Sequence, residues 1–222
     1  MMHTETILPP DAAVYGVIMN DPASVSRLGD AARQPPYKEL PAAPVLYIKP
    51  RNTWAPEGGA VRLPAGERAV EVGAVIGLRM GRDAARLRPE SALDAVDACL
   101  LAADLSLPHA DYYRPAIRQK CFDGSLPMRL LPPRAVRELQ SLALRTWIDG
   151  ERREERRLAD LLRAPARLLA DVTEFMTLRQ GDVLLTGVVY RSPEARTGSA
   201  VRVEVPGLAR LEFTVETGEE PA

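Results

Sequence analysis

The stretch that most constrains this chain is residues 69–78, Ala-Val-Glu-Val-Gly-Ala-Val-Ile-Gly-Leu. It has no proline and is rich in β-branched and small side chains, so it reads as a strand. Side chains along a strand alternate between faces. Val70, Val72, Ala74 and Ile76 therefore share one face, and Glu71, Gly73, Val75 and Gly77 share the other. Glu71 is the only charge in the run. A carboxylate on a mostly buried sheet surface needs a partner or a metal.

Other segments fit around this strand. Residues 14–19 and 44–49 read as strands, with Asn20-Asp21-Pro22 breaking the first. Residues 24–33 read as a short helix ended by Gln34-Pro35-Pro36. Ser91 with Asp94 resembles a capping box and predicts a helix to about Ala102. Residues 104–124 have mixed polarity and read as a long functional loop. Residues 142–148 alternate up to Asp149-Gly150, a hairpin-type turn signal. The charged run 151–157 reads as solvated surface. Leu168, Leu169, Val172, Phe175 and Met176 predict one apolar helical face over 167–176. Residues 183–186, 201–205 and 208–215 read as closing strands. The predicted class is mixed α/β, rich in β, with a mixed sheet and peripheral helices. A loose boundary near residue 40 separates a small N-terminal lobe, 1–43, from a main domain, 44–222.

Composition removes several functions. The 222 residues carry 29 basic and 30 acidic side chains, so no bulk field steers the chain to nucleic acid or a membrane surface. Two tryptophans are too few for a nucleic-acid stacking surface. No apolar run approaches the ~20 residues that span a bilayer, and no signal peptide is visible. Cys99 and Cys121 show no pairing signal, which predicts a reducing, cytoplasmic setting. Only two histidines are present, which excludes most zinc sites and weakens a Ser-His-Asp triad. A metal held here would need carboxylates, and these select a hard cation such as Mg²⁺ or Mn²⁺.

Several motifs occur together, in order. They are Pro44-Val-Leu-Tyr-Ile-Lys-Pro50, Glu71-Val-Gly-Ala-Val-Ile-Gly77, and Asp104 followed by Tyr112-Tyr-Arg-Pro-Ala-Ile-Arg-Gln-Lys-Cys-Phe-Asp-Gly124. Ile148-Asp-Gly150, Thr173-Glu-Phe-Met-Thr-Leu178 and Gly181-Asp-Val-Leu-Leu-Thr-Gly187 follow. Jointly they resemble the fumarylacetoacetate hydrolase family, whose fold is a mixed sheet or β-roll core with peripheral helices. Lys49-Pro-Arg-Asn-Thr53 and residues 112–124 are most similar to its isomerase/decarboxylase branch of aromatic catabolism. That branch occurs as two fused homologous halves or as two subunits. Residues 14–38 look like the first half.

The resemblance implies chemistry on small oxo or enol di- or tricarboxylic acids through an enolate, stabilised by a divalent cation acting as a Lewis acid. The family's metal ligands are Glu-x-Glu and a later Asp. Glu71 and Asp104 match two of them, and Ala69 stands where the first Glu belongs. Lys120 matches the active-site lysine, placed to meet a carboxylate or enolate oxygen. Tyr113, Arg114, Arg118 and Asp123 are the candidate substrate-binding residues. Arg51 reads as a salt-bridge former and His109 as a surface histidine rather than a proton shuttle. Val188-Val189 replaces the family's Thr-Pro after Thr186-Gly187. The partner expected is a second copy or a homologous subunit. Two other readings stay open: a non-catalytic scaffold for a metal-binding homologue, and an acylpyruvate-type hydrolase.

Overall fold

A computed structural model describes residues 7–35, 38–109 and 116–218. Two sheets, with short helices at their margins, make a strand-rich mixed α/β architecture. The larger sheet contains β1 (Val14–Ile18), β2 (Val45–Ile48), β3 (Trp54–Ala55), β5 (Ala69–Met80), β6 (Val96–Ser106), β7 (Leu126–Leu130) and β10 (Val183–Leu185) in the order β2-β1-β10-β5-β6-β7-β3. β11 (Glu194–Arg196) pairs with the beginning of β5. The smaller sheet runs β4 (Ala60–Leu63), β13 (Ala209–Thr217), β12 (Ala200–Val205), β8 (Ala143–Ile148), β9 (Glu151–Arg157). Among the described residues, four α-helices accompany them: α1 (Pro22–Leu28), α2 (Ile117–Lys120), α3 (Arg134–Arg137) and α4 (Pro165–Thr173).

The alternation read in residues 69–78 organises the interior. Val70, Val72, Ala74 and Ile76 enter the main core with Leu101, Ala103 and Leu105 of β6 and the inner face of the smaller sheet. Val75 faces the other way, into a second cluster with Val14, Leu100, Ala102 and Val183. Each fully buried Val, Leu or Ile contributes about 1.5–3 kcal/mol relative to exposure. The central antiparallel pair β5–β6 therefore anchors both layers. Its register sets Glu71 opposite Ser106 and Gly73 opposite Asp104. By alternation, Glu71 and Asp104 emerge on the same face of the sheet.

β1 lies within residues 1–43 yet pairs in parallel with β10 and antiparallel with β2. Asp21 caps α1, its carboxylate accepting from the Ala23 amide at 2.8 Å. Among the described residues, no helix is long and apolar enough to cross a membrane.

Three expectations fail here. The helix predicted over 91–102 is a 3-10 turn, Pro89–Ala95, followed by strand β6. Residues 98–103, the middle of β6, are apolar on both faces, and a strand between two neighbours buries both, so no polar alternation marks it as a strand. The run 151–157 forms β9 beyond the Asp149-Gly150 turn, and Arg156 within it is buried. Phe175, assigned to the apolar face of α4, is 67% exposed because the helix ends at Thr173.

Candidate active site

One cleft of about 390 Å³ opens on the Glu71 face of β5. Its polar end is built by Glu71, Asp104, Ser106, Lys120 and Ser192. Its walls are apolar, with Ile18 at the end of β1 and Met19 after it, Val45 of β2, and Val188 and Val189 after β10. This is the common design of a small-molecule site, in which a few convergent polar groups sit in an apolar hollow.

Asp104 is the centre of the polar end and is entirely buried. Lys120, at the end of α2, donates to its Oδ2 at 3.0 Å. The Tyr47 hydroxyl donates to the same oxygen. The Lys49 ammonium lies 2.9 Å from Oδ1. That approach misses hydrogen-bond alignment, so Oδ1 is ion-paired without accepting a proper bond. Lys49 is itself wholly buried and donates to the carbonyls of Leu105 at 3.1 Å, Lys120 at 2.5 Å and Ser125 at 3.1 Å, and to Ser125 Oγ at 3.1 Å. It thereby ties the end of β2 to β6 and to the turn carrying Lys120. Tyr47 reaches Asp104 because position 16, its partner across β1, is glycine, and the Tyr47 ring fills the space a Cβ there would occupy. The same ring lies under the Lys120 ammonium, 4.5 Å from its centroid.

The electrostatics follow from burial and these partners. Burial alone would raise the Asp104 carboxyl, but Lys120, Lys49 and the Tyr47 bond outweigh it and hold it at about 2. Burial lowers the Lys49 ammonium to about 8, against the pull of Asp104. Burial, then the Asp104 charge, pushes the Tyr47 phenol well above its ordinary value, so it stays neutral. Two ammonium groups against one carboxylate leave the cluster with one net positive charge near neutral pH. Glu71 sits beside it, and burial raises its carboxyl to about 7 in spite of Lys120 and Arg191.

The candidate residues divide accordingly. Glu71, Asp104 and Lys120 converge in the cleft. Arg118 instead pairs with Glu67 at 3.0 Å on the surface, and Asp123 accepts from Asn52 Nδ2 at 2.7 Å, so neither lines the cleft. Asn52 also holds the Cys121 carbonyl at 2.9 Å and accepts from the Gly124 amide at 2.9 Å, so residues 49–53 and 120–124 form one knot. Tyr113 and Arg114 lie outside the described residues. His109 binds the Leu107 carbonyl at 2.9 Å and shares an outer hollow with Glu71 and Arg191. Burial raises the Cys121 thiol, which argues against an activated thiolate. Lys49 and Tyr47 were not singled out from sequence. Their signal was a lone lysine two residues beyond a tyrosine at the end of an apolar strand, which alternation aims to the same side.

Glu71 and Asp104 were expected to hold Mg²⁺ or Mn²⁺. No group of three metal-ligating side chains occurs among the described residues. Ala69 supplies no oxygen, and both Asp104 oxygens face ammonium groups. With no third carboxylate and an ammonium already against each Asp104 oxygen, this donor set does not fit a divalent cation.

Residues 13–216 match the family model for the fumarylacetoacetate (FAA) hydrolase C-terminal domain. The chain belongs to the fumarylacetoacetate hydrolase family. It is 36% identical over 207 residues to the 4-hydroxyphenylacetate degradation bifunctional isomerase/decarboxylase of Salmonella dublin, covering 93% of this chain and 48% of that protein. The chain thus spans about half the length of the curated relatives it matches. The fold is shared with 5-carboxymethyl-2-hydroxymuconate delta-isomerase from Mycobacterium smegmatis, with TM-score 0.78, 22% identity, and 94% and 80% of the two chains covered. It is shared too with fumarylpyruvate hydrolase from Pseudomonas aeruginosa, solved with Mn²⁺ and pyruvate, with TM-score 0.76, 23% identity, and 93% and 90% covered.

Proposed function

We propose that this fumarylacetoacetate hydrolase family chain is a subunit of an isomerase/decarboxylase of 4-hydroxyphenylacetate catabolism. Its substrates in this reading are 5-oxopent-3-ene-1,2,5-tricarboxylate and 2-hydroxyhepta-2,4-diene-1,7-dioate. The observation that carries the reading is the Lys49–Asp104–Lys120 cluster opening into a cleft beside Glu71, whose carboxyl burial raises to about 7. The Lys120 ammonium receives the oxo or carboxylate oxygen and offsets charge as the enolate forms. Asp104 and Tyr47 fix that ammonium, and Lys49 keeps the cluster positive. Glu71, with affinity for a proton near working pH, is the general acid/base. In isomerisation it removes a proton from one carbon and returns it to another. In decarboxylation the electron pair of the breaking carbon–carboxylate bond moves toward the oxygen on Lys120. Carbon dioxide leaves, and Glu71 protonates the carbon. The apolar walls exclude water from the intermediate.

The test is an ultraviolet assay of the chain alone on the tricarboxylate, with Mg²⁺ and again with EDTA, alongside E71Q and K120M. Turnover that survives EDTA and falls at least about 100-fold in either variant is the expected result. Turnover indifferent to both substitutions would remove the reading. A second reading is favoured by Ala69 and by the ammonium groups around Asp104: the chain partners a homologous subunit that bears a full metal site. Activity that appears only on adding that homologue, with co-purification of the two chains, would select it.

A further inference from the structure

The cleft wall over Glu71 is residues 186–193, which join β10 to β11 without helix or strand. Irregular backbone that is buried must still satisfy its carbonyls, and here side chains do it in unbroken succession. Asn20 donates to Thr186 O at 2.9 Å, Arg156 to Gly187 O at 2.5 Å and Ser24 to Val188 O at 3.4 Å. Ser192 donates to Val189 O at 2.7 Å. Arg27 donates to Tyr190 O at 2.9 Å and to Arg191 O at 2.8 Å. Most of these donors belong to α1 or its entry. Ser192 belongs to the wall itself, and Arg156 comes from β9 in the other sheet.

The Arg156 guanidinium is buried. Nη2 bridges Gly187 O and, at 2.6 Å, Ala74 O, while Nη1 pairs with Asp21 Oδ2 at 3.1 Å. Ala74 follows Gly73, the residue opposite Asp104. Gly187 has φ +116, a conformation side chains resist, and its space is closed by Asn20. Beyond it Val188 packs over Gly73. One guanidinium therefore links the strand carrying Glu71, the start of the wall at Gly187 and the cap of α1.

We infer that Arg156 is a positioning residue of the cleft: from the second sheet it seats the 187–192 wall against the β5 strand beside Glu71 and Asp104. It touches no substrate. It acts through the Gly187 and Ala74 carbonyls and through Asp21. The site role rests on the proposed function, whereas the seating of the wall does not.

The test uses the full chain and three variants, R156M, R156K and R156M with D21N. R156M strands the Asp21 charge and could fail to fold. The double variant removes both charges, and asparagine still caps α1. It is expected to melt within about 5 °C of wild type. Amide hydrogen exchange over 188–192 should accelerate at least about ten-fold while exchange over 201–205 stays unchanged. Pyruvate, titrated calorimetrically, should bind about ten-fold more weakly, with R156K intermediate in both readouts. Unchanged exchange over 188–192 in a folded double variant, or acceleration spread evenly over both segments, overturns the inference. If wild type binds no pyruvate, the exchange comparison decides the positioning role alone, and the turnover assay decides the functional reading separately.

Discussion

Replacing Lys49 by methionine tests the electrostatic account most directly. Methionine keeps an unbranched chain of similar reach and deletes the charge. In the native protein this ammonium lies 2.9 Å from Asp104 and donates to three carbonyls and one hydroxyl, with no exposure to water. Removing one partner of a buried pair costs about 3–5 kcal/mol, because the other charge stays behind poorly compensated. Lys120 and Tyr47 still hold Asp104 Oδ2, so the lower end of that range, about 3 kcal/mol, is expected. Urea unfolding at pH 7 measures it. The pH dependence carries the sharper signature. Asp104 has its folded carboxyl lowered to about 2, against about 3.9 unfolded. Its stabilisation is therefore full above about pH 4 and is lost as pH falls through 2. K49M weakens the depression, so the gap between variant and wild type should narrow as pH drops from 5 towards 3. A K49M chain within about 1 kcal/mol of wild type at pH 7, or a gap that widens in acid, would refute the reasoning.

Three further outcomes are expected. Glu71 has its carboxyl raised to about 7, so folding favours its protonated form, and its charge costs stability as pH rises from about 4.3 to 7. E71Q should then be more stable than wild type by about 1–2 kcal/mol at pH 8, a figure discounted for partial exposure, with the gain gone at pH 4 in paired urea melts. G16A drives a methyl into the Tyr47 ring and should cost about 1–3 kcal/mol with a changed near-ultraviolet tyrosine signal; a neutral G16A would show that the ring has room to move. A69E adds a carboxylate on the Glu71 face of β5, and manganese electron-spin titration should show tighter Mn²⁺ binding than wild type; equal binding would contradict the ligand argument.

Much of this site was legible in the sequence because its chemistry sits on a strand with a strict two-residue period. That period put Glu71 apart from Val70 and Val72 and predicted its need for a partner, and the motif order brought in Asp104 and Lys120. Arg118 and Asp123 lay in the right motif but not in the cleft, since a one-turn helix and a tight turn aim neighbouring side chains in different directions. β6 was mistaken for a helix because a strand buried on both faces has no alternation to read. Lys49 and Arg156 were passed over for a common reason. Each is a buried cation whose partners, main-chain carbonyls and one carboxylate, are distant in sequence, and a local charge pattern does not record them.

The position of β10 has a consequence for how the molecule comes into being. This three-residue strand lies between β1 and β5, so the first strand gains its inner neighbour only from residues 183–185. Asn20 meets Thr186 across 166 residues of chain, and Ala13 meets Asp182 across 169. On a ribosome adding about 5–20 residues each second, the antiparallel pair of β1 and β2 waits roughly 7–27 seconds before β10 exists to join it to β5. Contacts that distant in sequence also close slowly. The cleft, whose walls come from both ends of this circuit, is thus among the last parts of the protein to be born.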